Sequence, residues 1–193
     1  METSDELIKA MEAAEKAIRK SRSIDQIYGD RAGTPPIAPW PTEPCKIVFL
    51  DIDGVLNSER SARQFGTRYR FAGSSVAALN EILAQTDARF VITSSWREAM
   101  MLSEIVGYLE RAGVLTGRVA GKTRFLQKER GLEIDAWLRS VPYAVSSFVI
   151  IDDRDDMEMH RARLVQIDPR AGLDMTQAQR AIELLENPWK SRP

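Results

Sequence analysis

The sequence predicts an α/β fold, a three-layer sandwich with helices on both faces of a central parallel sheet and one further helix at the N-terminus. Three observations predict it. KIVFL (46–50), ARFVIT (88–93) and SFVII (147–151) are apolar runs without polar alternation, as expected of strands covered on both faces. Segments of helical periodicity separate them, and strand–helix alternation gives a parallel sheet. Hydroxyls or carboxylates directly follow each run, at the strand ends where such sheets bind ligands.

In chain order, residues 4–28 read as a helix: Leu7, Met11, Ala14 and Ile18 recur at helical intervals, and Thr3 and Glu6 have capping-box spacing. That apolar stripe suits docking on the main domain or on a second copy, the latter giving a homodimer through the N-terminal helix. Residues 29–44 hold five prolines and two glycines and read as a linker. The main domain is expected at 45–187, followed by a short tail, 188–193. Within it, 74–85 reads as a helix with a serine cap, 103–113 as a helix ending in glycine, and 132–140 as a third helix. RLVQID (163–168) is a fourth strand, and 176–187 a closing helix with Thr176 and Gln179 at capping-box spacing.

Composition excludes several classes. The 193 residues are 44% hydrophobic and 28% charged, the profile of a soluble globular protein. A net charge of −1 gives no global attraction to nucleic acid or membrane, so any preference must be local. A single cysteine, Cys45, rules out an intrachain disulfide and fits a reducing compartment. A single histidine, His160, argues against His-rich metal sites and a Ser/His/Asp triad, and reads as structural. The acidic, polar N-terminus is no signal peptide, and no apolar run approaches the ~18 residues of a membrane span, so a cytoplasmic location is expected.

The strand ends collect one chemistry. Asp51 and Asp53 follow the first strand, Thr93, Ser94 and Ser95 the second, and Asp152 and Asp153 the third, with Asp155 and Asp156 just beyond. Arg130 opens a helix, after Lys122, Arg124 and Lys128. Several anions at one place are costly unless a cation sits among them. Oxygen ligands without spare His or Cys suit a hard ion, most simply Mg²⁺. With hydroxyls and a side-chain cation added, the site holds what a phosphoryl group needs. A calcium loop starting at Asp51 fails, because its sixth position is Leu56 and its twelfth Ala62. Trp96 reads as packing, and Arg97 as equally suited to brace the acidic cluster.

These motifs resemble the haloacid dehalogenase (HAD) superfamily of phosphatases, with its Rossmann-like sandwich. FLDIDGV matches a first motif of strand plus DxDG, FVITSS a second ending in Thr or Ser, Arg130 a third cationic motif, and FVIIDDRDD a fourth ending in paired Asp. The resemblance covers 46 to about 185. IDDRDDMEM is also similar to the phosphatase half of polynucleotide kinase–phosphatases. ITSSWR, RGLEIDAWL and a late GL resemble the HAD domains of Swiss-army-knife RNA repair proteins. The resemblance implies Asp51 as nucleophile and metal ligand and Asp53 as general acid and base, its backbone carbonyl also on Mg²⁺. It implies Thr93 or Ser94, with Arg130, on the phosphoryl oxygens, Lys122 and Lys128 being alternatives to Arg130. Asp152 binds the metal, and Asp153 or Asp156 supports it through water. A receiver domain fits less well, since there the acidic pair ends the first strand rather than the last. A non-catalytic phosphate-binding module is the remaining rival.

Between Asn57 and Ser74 lie only 16 residues, too few for a folded cap, so the site is expected to be open. That insert carries Arg60, Arg63, Arg68 and Arg70 with Phe65, Tyr69 and Phe71. Arginines interleaved with aromatics can grip phosphates and stack bases; the alternative is a solvated flap whose aromatics pack inward. The expected substrate is a phosphate monoester on an RNA or DNA end or a nucleotide, with a small metabolite ester as the alternative.

Overall fold

Each apolar run becomes a strand because its two alternating side-chain sets are both buried. In β1 (Cys45–Leu50), Ile47 and Phe49 point to one face and Val48 and Leu50 to the other, and all four are fully buried. The other strands are β2 (Arg89–Ile92), β3 (Val119–Lys122), β4 (Val145–Asp152) and β5 (Leu164–Gln166). All pair in parallel, in the order β3-β2-β1-β4-β5. The computed structural model describes residues 41–126 and 128–189. The expected helix at 4–28 with its dimer role, and most of the proline-rich linker, lie outside the described residues.

Helices cover both faces. The helix α1 (Glu59–Phe65) lies in the insert after β1, followed by α2 (Gly73–Thr86), α3 (Trp96–Ala99), α4 (Leu102–Arg111), α5 (Arg130–Ser140) and α6 (Met175–Glu186). Leu79, Ile82 and Leu83 of α2, Ile105 and Leu109 of α4 and Ala181 and Leu185 of α6 join Val48 and Leu50 in the larger core. Ile134 and Trp137 of α5 join Ile47 and Phe49 in the smaller one.

The predicted fold class holds, with differences in detail. β3 was not expected: it has four residues, two of them Gly121 and Lys122, so no apolar run marks it. The serine cap expected for α2 is absent; Ala72 occupies the cap position without a side-chain bond. The cap of α6 lies two residues earlier than expected, at Asp174, paired reciprocally with Gln177. Ser58 and Ser61 form a capping box that starts α1, a helix inside the insert where no element is predicted. Trp189, in the predicted tail, packs edge-on against Phe148 at 5.1 Å and donates its backbone N–H to Ser146 O.

The strand order reverses between β1 and β4: from β1 the chain moves outward to β2 and β3, then returns to the other side of β1. A ligand crevice forms at such a switch point, beyond the C-terminal strand ends.

Phe49 is fully buried, with Trp137 and Phe148 edge-on at 5.3 and 5.7 Å. Phe49→Ala is expected to cost about 3–5 kcal/mol, read as a lower urea midpoint at unchanged slope. A shift within the ±0.5 kcal/mol typical of surface substitutions would contradict this packing.

Candidate active site

Strand register sets the geometry of the site. Leu50 pairs with Ile151 and with Ile92, so the residues just past them, Asp51, Asp152 and Thr93, stand side by side. Backbone bonds continue the row: Asp51 N donates to Ile151 O (3.0 Å), Thr93 N to Leu50 O (2.8 Å), and Thr123 N to Ile92 O (3.0 Å).

Arg130 closes the site from the start of α5. Its Nη1 lies 3.0 Å from Asp51 Oδ1 and 2.5 Å from Asp152 Oδ2, and all three side chains are buried. Asp156 fixes that helix start, accepting from Arg130 N at its carboxylate (3.2 Å) and from Gly131 N at its carbonyl (3.1 Å). Gly131 permits the approach: a Cβ there would stand 3.1 Å from Met157 Cα and 3.3 Å from Asp156 O.

One carboxylate oxygen from each of Asp51, Asp152 and Asp153 lies within 4.8 Å of the other two. Burial and the neighbouring Asp152 push the Asp51 pKa up to about 7, with Arg130 pulling the other way. Asp152 is also raised, by burial against the opposing pull of Arg130. Asp153 is raised by burial and by Asp51. Burial works against the Arg130 charge, but Asp51 and Asp152 outweigh it and push its pKa up. One guanidinium therefore does not fully neutralise the three acids. All the converging donors are oxygens, the set that a hard divalent cation takes, so these residues fit Mg²⁺.

The Asp53 carboxylate is not part of that group. Its Oδ1 accepts from Asn57 Nδ2 (2.8 Å) and its Oδ2 from Trp96 Nε1 (3.1 Å). Gly54 makes the intervening turn at φ +79°, and a Cβ there would lie 2.6 Å from Asp153 Oδ2.

Thr93 is fully buried, and among the described residues its hydroxyl has no hydrogen-bond partner. Ser94 Oγ already accepts from Trp96 N at 3.4 Å. Of the alternative cations, Lys122 is buried and donates to Arg97 O (3.2 Å) and Met100 O (3.4 Å), while Lys128 is exposed. Arg130 contacts both Asp51 and Asp152. Arg97 braces the carbonyls of Thr93 and Ser94 and pairs with the buried Glu133 of α5. Burial lowers its pKa, against the attraction of Glu133. Asp156 faces α5 and Arg154.

The four arginines of the insert are exposed, but its aromatics are not free to stack. Tyr69 is buried and Phe71 half-buried, both against Trp96, at 5.5 and 5.8 Å. Of the two readings of the insert, Tyr69 and Phe71 follow the one in which the aromatics pack inward; those two rings face the core because Trp96 offers them an apolar surface. Arg63 pairs with Glu59 (3.0 Å), and Arg70 sits over the Phe65 ring at 5.8 Å. His160 is buried edge-on against Phe148.

Asn57, Glu133 and the Trp96 contact with Asp53 were not expected from sequence. Glu133 had a weak signal, an acid in the first turn of a helix. Trp96 had none, because only the fold brings its indole to Asp53.

A parallel sheet with Asp51 and Asp53 after β1, Thr93 after β2 and an acidic pair after β4 defines the HAD class of fold and site. More narrowly, residues 47–178 match the HAD domain in Swiss Army Knife RNA repair proteins, and the chain belongs to that family. Membership implies hydrolase chemistry of the phosphatase type on a phosphorylated substrate. No curated protein matches the chain. No helix among the described residues is long and apolar enough to cross a membrane.

The raised Asp51 pKa makes stability depend on pH when no metal is present. A carboxyl whose folded pKa lies above its unfolded value favours the fold in its protonated form. Its contribution is full below about 3.9 and is lost as pH rises toward about 7. In EDTA, the urea midpoint of the wild type is expected to fall between pH 5 and pH 8 by more than that of Asp51→Asn. Equal falls would contradict the strained acid.

Proposed function

We propose that the protein is a Mg²⁺-dependent phosphomonoesterase that works through an aspartyl-phosphate at Asp51. The observation that supports it best is the buried Asp51, shared with Asp152 on one Arg130 guanidinium and grouped with Asp153. Asp51, Asp152 and Asp153, with the Asp53 backbone carbonyl, would hold the cation, and Asp156 would support the arrangement through the α5 start. When bound, the cation supplies charge neutralisation that brings Asp51 to its ionised form and offsets charge on the phosphoryl oxygens.

The residues divide the remaining work. An Asp51 carboxylate oxygen attacks phosphorus while the bond to the leaving oxygen breaks, and Asp53 gives its proton to that oxygen. Water then attacks phosphorus, the Asp51–phosphorus bond breaks, and the water's proton goes to Asp53. The Thr93 hydroxyl, unpartnered among the described residues, and Arg130 hold the phosphoryl oxygens. Ser94 is the second donor candidate. Two easier steps replace one hydrolysis whose uncatalysed barrier is among the highest known.

The substrate in this reading is a phosphate on an RNA or DNA end or a nucleotide, handled in a cytoplasmic, reducing compartment. Support comes from the family of RNA repair proteins and from exposed Arg60, Arg63, Arg68 and Arg70 on an insert too short to cap the site. Because Tyr69 and Phe71 pack inward, the grip is electrostatic rather than stacking.

The chemistry is tested by Asp51→Asn, which is expected to lower turnover by more than a thousandfold while remaining folded, and by EDTA, which is expected to abolish wild-type activity until Mg²⁺ is restored. Turnover by Asp51→Asn within tenfold of wild type, or full activity in a verified metal-free protein, would contradict the reading.

Substrate class is tested with 3′- and 5′-phosphorylated oligonucleotides against a small ester. Oligonucleotide binding is expected to weaken with salt at a log–log slope of roughly −0.7 per phosphate contact. Replacing Arg68 and Arg70 by Glu is expected to raise KM for the oligonucleotide by more than tenfold, with a far smaller effect on the small ester. Equal effects without salt dependence would favour a small-metabolite phosphatase.

A further inference from the structure

We propose that Trp96 and Asn57 are positioning residues that hold the Asp53 carboxylate for proton transfer, and that through them the 58–72 insert is tied to that step. The inference rests on the reading of Asp53 as general acid and base.

Both oxygens of Asp53 are held. Trp96 Nε1 donates to Oδ2 at 3.1 Å and Asn57 Nδ2 donates to Oδ1 at 2.8 Å, from side chains that are 5% and 4% exposed as residues. A carboxylate on a turn otherwise rotates broadly about its last torsion. A donor on each oxygen restricts that rotation. Each carboxylate oxygen has two lone pairs, so one on each remains open for a proton or a leaving oxygen. The clamp therefore orients the group without occupying it.

The donors are themselves held. Asn57 Oδ1 accepts from Gly54 N at 3.0 Å, and an N–H can only donate, so the amide cannot turn over without losing that bond. The Asn57 Nδ2 also donates to Arg68 O at 2.5 Å, which pins the insert to the same amide. The indole of Trp96 stands between Tyr69 at 5.5 Å, Phe71 at 5.8 Å and Tyr108, edge-on, at 5.8 Å. Tyr69 and Phe71 belong to the end of the insert. The aromatic residues that do not stack on a substrate thus form the wall behind the Trp96 indole, and the insert both carries the arginines and supports the acid. Misplacing a reacting group by about 1 Å costs up to ~10²-fold in rate, so the clamp is a kinetic element.

A purely structural Trp96 would make the same hydrogen bond, since a buried indole N–H needs an acceptor. The two roles separate by leaving group. An alkyl monoester needs its leaving oxygen protonated, whereas a nitrophenyl ester departs almost unaided. The experiment measures kcat/KM for both esters in the full chain with Mg²⁺. Trp96→Phe keeps a ring in the wall and removes the N–H. It is expected to lower the alkyl-to-aryl ratio of kcat/KM roughly tenfold, part of the 10²–10⁴ that a whole acid supplies. Asp53→Asn is expected to lower the same ratio by about 10²-fold or more. If Asp53→Asn lowers the ratio and Trp96→Phe leaves it unchanged, the positioning role is wrong and Asp53 keeps its assignment. If Asp53→Asn leaves the ratio unchanged, the acid is elsewhere and the inference falls with it. Asn57→Ser, which withdraws the other donor, is read in the same way should Trp96→Phe fail to fold.

Discussion

Arg130 sits between two buried carboxylates that the sheet leaves no room to separate. Asp51 and Asp152 end neighbouring parallel strands in matched register, so backbone pairing alone brings them together. Two such charges in a water-poor site repel strongly, and removing one partner from a buried ion pair typically costs 3–5 kcal/mol. The guanidinium answers both acids through one nitrogen, Nη1, and with Asp153 close by a deficit of positive charge remains. Three grouped acids around one guanidinium fit a divalent cation, whose charge would offset that deficit.

The rest of the site follows from holding Arg130 in place. Asp156 caps the first turn of α5, and Gly131 lets that turn lie against the 156–157 backbone. Glu133, one turn further on, draws in Arg97, whose guanidinium reaches back to the carbonyls of Thr93 and Ser94. The other oxygen of Glu133 accepts from Leu126 N at 2.8 Å. A chain of buried hydrogen bonds therefore links the ends of β2 and β4 and the start of α5. Such buried polar networks hold one geometry firmly, because each lost bond leaves a buried group unpaired, as Arg97 Nε and Asp156 Oδ1 already are among the described residues. The hydrogen bonds of Asn57 and Trp96 to Asp53 are a second arrangement of this kind.

Much of this was legible in the sequence where short-range pattern and physical cause coincide. Unbroken apolar runs marked β1, β2 and β4, and because sites of parallel sheets lie at strand ends, reading the residues after them found Asp51, Asp53, Thr93 and Asp152. Arg130 was legible as a cation opening a helix. β3 was not, since its four residues include Gly121 and Lys122 and depend on β2 for their conformation. The cap of α6 was placed at Thr176 although Asp174 and Gln177 have the same spacing; a repeated pattern cannot decide between neighbouring registers. Trp96, Asn57 and Glu133 take their roles from partners far away in the chain or across a turn, and the aromatics of the insert look alike in sequence whether they face solvent or the Trp96 ring.

The central claim, that the Asp51–Arg130–Asp152 triangle is a phosphoryl-transfer centre, is tested most directly by trapping the covalent intermediate. Enzyme mixed with substrate and Mg²⁺ is quenched and treated with borohydride, which reduces an acyl phosphate to an alcohol and so converts the modified aspartate to homoserine. Peptide mass mapping then locates it. The account predicts homoserine at residue 51, dependent on both substrate and Mg²⁺. Homoserine at a different aspartate, or efficient turnover with none formed under conditions that trap a known aspartyl-phosphate enzyme, would contradict it.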